Sequence, residues 1–263
     1  MDARGEEEYR ARIITYMHKA MREAKVVTSW INPSERHEEA MAAFVDAILS
    51  PENTAFREDF EAFQQRIAHY GIYNSLSQLA LKIAAPGVPD FYQGSELWDF
   101  SLVDPDNRRP VDYRVREALI GEVRTATIGG LMANPADDRL KLFVTSRLLG
   151  FRRDHADVFA FGSYEPLTFE GARRDHAFGF VRRHGNTSAI AVVPRLIAGL
   201  VPDADVPPIG ERVWGDTRFV LPGTAARCYR HALTGVCVPV VDGKLRLADV
   251  FAEAPVAILR ADS

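Results

Sequence analysis

Residues 86–113 read PGVPDFYQGSELWDFSLVDPDNRRPVDY, and the rest of the chain is read outward from them. An apolar lead-in, Leu81 to Ala85, runs into Pro86-Gly87-Val88-Pro89. Asp90-Phe91-Tyr92 predicts the end of a short strand over 88–92, and Gln93-Gly94-Ser95-Glu96 predicts a turn. The loop beyond it is dense in groups that hydrogen-bond hydroxyls: Asp99, Asp104, Asp106, Asn107, Arg108 and Arg109. Carboxylates accept from hydroxyls, arginine donates a rigid fork, and Tyr92 and Trp98 offer flat faces. Fixed polar groups just past a short buried strand are the pattern of the C-terminal rim of an α/β barrel. The competing reading of DPDNRRP (104–110) is a surface turn, since Asp, Asn and Pro are turn residues.

Upstream the period is helical. Residues 6–26 carry Ile13, Met17, Ala20, Met21 and Ala24 at helical spacing behind an acidic N-terminal turn. SWINPSER (29–36) interrupts. Asn32 is the expected cap of a second helix running to Leu49, with Pro33 at its first position and Glu35 closing a capping box. A third helix is expected over 55–84, with Phe56, Phe60, Phe63, Ile67, Tyr70 and Asn74 as a core-facing stripe. Gly71 marks a break or a close approach in it. Downstream, 113–132 is helical up to Gly129-Gly130, and Asp137 to His155 forms another helix. Its apolar face is Leu140, Phe143, Val144, Leu148 and Phe151; Lys141, Arg152 and Arg153 are its solvated side.

Near residue 158 the period changes to two. His176–Arg183 alternates, HGN (184–186) turns, and Ser188–Val193 is the return strand. Short strands are expected near 218–221, 226–232, 236–241, 244–247 and 255–260, with Asp242-Gly243 as a hairpin turn. This predicts an α+β chain: a mostly helical part over 1–160, then an antiparallel sandwich over 161–263.

The 263 residues have the composition of an ordinary soluble protein and a formal net charge of −4, which gives no sign of nucleic acid or an anionic membrane as partner. No leader pattern opens the chain and no apolar run is long enough to span a bilayer, so a cytoplasmic location is expected. Cys228 and Cys237, in apolar strand-like surroundings, read as buried thiols rather than a disulfide, and two cysteines without His-x-x-x-His make no zinc site. Asp-x-Asp-Asn at 104–107 resembles the start of a calcium loop, but Arg-Arg-Pro follows where glycine and further ligands are needed. No phosphate loop, dinucleotide fingerprint or G-x-S-x-G is present. Arg152-Arg153, Arg173-Arg174 and Arg182-Arg183 read as solvated pairs.

GVPDFYQGSE resembles the segment at and after the eighth barrel strand of the α-amylase superfamily of glycoside hydrolases. Together with SWINP (29–33), YGIYNSLSQ (70–78), ELWDFSLVDPDNRRPVDY (96–113) and VVPRL (192–196) it resembles, in order and over nearly the whole chain, the C-terminal third of the maltooligosyl trehalose synthases. The resemblance implies the last strand of an incomplete (β/α)8 barrel followed by the sandwich. It implies a maltooligosaccharide substrate, and an intramolecular transglucosylation that turns the reducing-end α-1,4 bond into an α,α-1,1 bond. That chemistry uses a nucleophile and an acid/base carboxyl group, with no cofactor or metal. In the family both carboxyl groups follow earlier barrel strands, and no stretch here resembles their motifs. No catalytic residue is therefore expected in this chain, the chain alone is expected to be inactive, and its partner is an N-terminal catalytic part. The resemblance also makes Asp106, Asn107 and Arg108 the first substrate contacts. Tyr92, Gln93, Glu96 and Trp98 are read as further contacts, with packing as the alternative for at least one of Tyr92 and Trp98, and Asp104 and Arg109 hold the loop. For Glu96 a structural pairing with an arginine stands as an equal reading. The rival function is a non-catalytic glucan-binding or subunit-interaction module.

Overall fold

The computed structural model describes residues 3–221 and 226–261. Its helices are α1 (Ala3–Ala24), α2 (Glu35–Leu49), α3 (Thr54–Ala84), α4 (Tyr113–Val123), α5 (Ile128–Leu131), α6 (Asp138–Asp154) and α7 (Ala156–Phe161). Three single-turn helices follow: α8 (Ile197–Leu200), α9 (Glu211–Trp214) and α10 (Leu247–Val250). The chain divides into two compact units. One comprises residues 1–66 and 100–111, the other 67–99 and 112–263.

In the first unit α1 and α2 form where helical periodicity placed them, but α2 starts later than expected. Its N-cap is Ser34, not Asn32, and no side chain caps it. Glu35, now the first helical residue, closes no capping box, and Glu38 is paired elsewhere. Glu38 takes two hydrogen bonds from Arg22 and one, at 2.6 Å, from Thr28 Oγ1. The Arg22 guanidinium foremost, with the Thr28 hydroxyl, lowers the Glu38 carboxyl to about 2. Among the described residues Val45 is the one buried apolar side chain of this unit. The expected core stripe is therefore corrected: Phe56, Phe60 and Phe63 are 38%, 48% and 62% exposed. Their spacing does put them on one helix face, and Phe56 and Phe60 stack at 5.6 Å, but no second layer covers them.

In the second unit α3 passes Gly71 without a break, and no atom lies within 4 Å of where a Cβ would stand there. Asp112 caps α4 by accepting from the amides of Arg114 and Val115, Thr127 caps α5, and Asp137 caps α6; these are ordinary N-cap residues. The expected strand at 88–92 does not form a ladder: both sheets are built from other segments, and Val88 is 95% exposed. An extended run becomes a strand only when a neighbour takes its backbone groups, and no described strand lies beside this one.

The strands are β1 (Glu165–Pro166), β2 (Phe169–Glu170), β3 (Ala177–His184), β4 (Thr187–Pro194), β5 (Arg218–Val220), β6 (Cys228–His231), β7 (Cys237–Pro239), β8 (Lys244–Arg246) and β9 (Ala257–Ala261). They pair antiparallel as two sheets, β1-β3-β4-β9-β6-β7 and β2-β5-β8. The β3–β4–β9 register puts Phe180, Ala191 and Ile258 in line, and Val181, Ile190 and Leu259 in line. The first set joins a core with Leu76, Ile83, Phe143, Leu148 and Phe159 of the helices. The second joins a core with Phe219 and Leu245 of the smaller sheet and with Trp214 and Phe251. Both faces of the central strands are covered, so β4 is buried at seven of its eight positions. The alternation expected of β3 and β4 is absent for that reason.

Two further expectations fail on the same ground. Arg182, on the helix-facing side of β3, is 2% exposed, and Arg152 of α6 is half-buried; neither is solvated, whereas Arg153 is. Lys141 is also half-buried and engaged. Cys228 and Cys237 form a disulfide with Cα atoms 5.7 Å apart. In the β6–β7 hairpin Tyr229, His231 and Val238 take the buried positions, which leaves both cysteines on the outer face as diagonal neighbours within disulfide reach. Among the described residues no helix is long and apolar enough to cross a membrane.

Candidate functional site

The stretch 86–113 is shared between the two units, and each part is built on its own scaffold. In the first unit, residues 100–111 are anchored on α1. Arg12 Nε and Nη2 each lie 2.8 Å from an oxygen of Asp106, and the Leu102 amide donates to Asp106 Oδ2 at 2.7 Å. The Arg12 guanidinium beside it holds the Asp106 carboxyl down at about 2. Lys19 Nζ donates to the Asp104 carbonyl at 2.7 Å and to its carboxylate at 2.9 Å, and so holds that carboxyl below its ordinary range. Arg12 and Lys19 are seven positions apart, which places them on one face of α1. Residues 106–108 form a single 3₁₀ turn. Arg109 Nε donates to the Asp106 carbonyl and its Nη2 to Ser101 Oγ, and Nη1 lies 3.5 Å from Glu8.

Arg108 is the outermost of the group, 65% exposed at the side chain, with one bond to Asp104 at 3.1 Å. Asn107 Oδ1 is buried with no hydrogen-bond partner. A cleft of about 320 Å³ opens beside this loop, lined by Arg12, Tyr16, Asp104, Asp106 and Arg109 among others.

In the second unit, residues 92–95 make a tight turn. The Ser95 amide and hydroxyl both donate to the Tyr92 carbonyl, and Gly94 sits at φ +87°, where a side chain would be strained. Tyr92 and Gln93 are exposed on it. Glu96 accepts from Arg116 Nε of α4 at 3.0 Å, and the same guanidinium donates to the Gly94 carbonyl at 2.9 Å. Trp98 is half-buried: its backbone amide donates to Asp138 Oδ1, its indole N–H donates to the Asp137 carbonyl, and Lys141 Nζ stands 5.5 Å from its ring. Lys141 also donates to the Leu97 carbonyl at 2.9 Å, and burial lowers its pKa.

Every carboxylate predicted for the site whose contacts are described is thus ion-paired: Asp104 with Lys19, Asp106 with Arg12, Glu96 with Arg116. Asp104 and Asp106 are held ionised, the opposite of what a general acid requires. They suit the binding of hydroxyl groups. The cationic partners Arg12, Lys19, Arg116 and Lys141 were not singled out from the sequence as functional. The one local signal was the spacing of Arg12 and Lys19 on a shared helix face.

No family model matches the chain. Two antiparallel sheets against a helical layer define the general class as an α+β protein, and the loop of the first unit, 100–111, is rich in acids and arginines. Two curated Mycobacterium tuberculosis proteins, from strains CDC 1551 and H37Rv and carried under the name maltooligosyl trehalose synthase, are each 32% identical over 97% of this chain. The solved maltooligosyltrehalose synthase of Arthrobacter ramosus superposes with a TM-score of 0.73 at 36% identity over 95% of the chain. A Sulfolobus tokodaii structure described as a hypothetical maltooligosyl trehalose synthase gives 0.66 at 30% identity over 96%. The chain spans 29–30% of the length of these relatives. It is a homologue of part of the maltooligosyl trehalose synthases.

Proposed function

We propose that this chain is the C-terminal part of a maltooligosyl trehalose synthase, within the α-amylase superfamily. Residues 1–160 close a (β/α)8 barrel and 161–263 form its C-terminal sandwich. The observation that carries the reading is the match along nearly the whole chain to under a third of those enzymes. The whole enzyme converts the reducing-end α-1,4 bond of a maltooligosaccharide to an α,α-1,1 bond. A covalent glycosyl-enzyme forms on one carboxylate, and the cleaved glucose turns so that its anomeric hydroxyl attacks. Holding that glucose against water is the task of a polar loop.

Here Tyr92, Gln93, Glu96, Trp98, Asp106, Asn107 and Arg108 contact the glucan, and Asp104 and Arg109 shape the loop. Asp106 already accepts three hydrogen bonds, which leaves it one further acceptor position. The chemistry needs no cofactor, and its setting is the cytoplasm. The nucleophile and the acid/base belong to an N-terminal catalytic part, which also covers the exposed face of α3. Two observations support that partner: the missing core of the first unit and the ion-paired state of the rim carboxylates.

The test is to assay the chain alone and with the N-terminal part of such an enzyme on maltopentaose. Non-reducing product is expected only from the combination. Turnover by the purified chain alone would overturn the assignment. Glucan binding that stays without turnover in the combination would favour the second reading, a non-catalytic binding module, for which the paired rim carboxylates also speak.

A further inference from the structure

Segment 85–98 carries four of the predicted sugar contacts, yet no described strand lies beside it to hold its backbone. Its carbonyls are taken by cationic side chains instead. Arg152 Nη1 donates to the carbonyls of Ile83 and, at 3.4 Å, Ala85, and its Nη2 donates to Gly87 at 2.5 Å. Arg116 holds the Gly94 carbonyl and Lys141 that of Leu97, while Asp138 receives the Trp98 amide. Arg152, Lys141 and Asp138 all stand on α6. Residues 138 and 152 of one helix are about 21 Å apart along its axis, so a single helix grips both ends of the segment.

Beneath the first grip lies Arg182. It donates to Ala84 at 3.2 Å, Phe159 at 3.1 Å, Gly162 at 2.8 Å and Ser163 at 2.8 Å, all backbone carbonyls. Arg152 and Arg182 have no carboxylate partner among the described residues. Ile83 and Ala84 end α3, and Phe159 to Ser163 span the end of α7. The last carbonyls of a helix lack an intrahelical partner and form the negative end of its dipole. Two such ends converge here, and they compensate two neighbouring cations.

We propose that Arg152 and Lys141 are positioning residues: in place of a strand neighbour, they set the path of segment 85–98 and thereby where Tyr92, Gln93 and Glu96 meet a glucan. This rests on the sugar-binding reading of that segment. The test uses the full chain with Arg152→Lys, which keeps the charge but loses the fork, Lys141→Met as a second variant, and Arg153→Lys as an exposed control. Segmental amide exchange and calorimetric titration with maltopentaose are both measured.

In each test variant residues 85–98 are expected to exchange at least ~10-fold faster, with β3 and β4 amides unchanged, and the maltopentaose dissociation constant to rise about tenfold. The control is expected to change neither. Unchanged exchange would overturn the proposal, and so would faster exchange with unchanged affinity, which would make the grips merely structural. Absence of maltopentaose binding in the unaltered chain would instead remove the sugar reading, and the positioning role with it; that failure is read from the titration of the unaltered chain, the other from the exchange of the variants.

Discussion

Arg12 of α1 holds both carboxylate oxygens of Asp106, 94 residues further along the chain, each at 2.8 Å. With the Asp106 side chain only 12% exposed, this pair fixes the centre of the DPDNRRP loop more firmly than turn propensity does. The same guanidinium also reaches the Phe100 carbonyl, so one side chain ties two points of the loop to one helix.

That pair makes acid stability predictable. The Asp106 carboxyl titrates at about 2 in the folded chain against an ordinary 3.8. Its contribution is complete above pH 3.8 and is lost as the pH falls through 2. Asp106→Asn is expected to destabilise the first unit by roughly 1.5–3 kcal/mol at neutral pH and to flatten the loss of stability between pH 4 and 2. Urea unfolding at a series of pH values reads both, and an equally steep acid limb in the variant would refute the assignment.

His231 gives a second window. Its Nδ1 accepts the Leu233 amide, Nε2 has no partner, and burial lowers its pKa to about 4 from 6.5. The unfolded chain takes the proton first on acidification, so stability is complete above pH 6.5 and declines as the pH falls from there to 4. The decline is on the order of 3 kcal/mol. His231→Gln should lower stability at pH 7.5 yet narrow the gap between melting temperatures at pH 7.5 and pH 5. A gap as wide as in the unaltered chain would place the acid sensitivity elsewhere.

Arg108 is the exposed fork of the loop and has one bond to give up. When the chain is supplied with an N-terminal catalytic part, Arg108→Ala is expected to reduce turnover about ten- to a hundred-fold, as for the loss of one charged hydrogen bond, with the melting temperature nearly unchanged. Full turnover in the folded variant would make Arg108 a loop residue only.

The bare face of α3 predicts association. Phe56, Phe60 and Phe63 present a contiguous apolar strip, and such strips drive contacts between copies when nothing else covers them. Sedimentation of the isolated chain is expected to show mass rising with concentration, and Phe60→Glu with Phe63→Glu should abolish the rise. Association that survives the double substitution would point to another surface.

Much of the architecture was legible in the sequence because its signals are local. The 3.6 period marked α1, α3 and α6, and the turn at 184–186 marked the β3–β4 hairpin, whereas the one N-cap read from the sequence, Asn32, lies two residues ahead of the actual cap, Ser34. The dense polar loop at 99–109 was visible as composition. The same local signals misled where burial depends on a second layer. Helical spacing put Phe56, Phe60 and Phe63 on one face but could not say whether anything covers it, and the extended run at 88–92 could not show whether a strand lies beside it.

By itself, then, the sequence determined the long helices, the β3–β4 hairpin, the polar loop and the family it resembles, which depend on residues within a few turns of one another or on motif order; it also offered a strand at 88–92 and one helix over 113–132, where the chain forms no ladder and two helices, α4 and α5. Only the tertiary structure decided that Arg12 meets Asp106 and that Arg182 is buried among helix-terminal carbonyls. Only it joined Cys228 to Cys237 and covered both faces of β4. A side chain's charge and length are written in the sequence. The carbonyl, carboxylate or sheet it meets is set by the path of the chain through space, because these contacts join segments tens of residues apart.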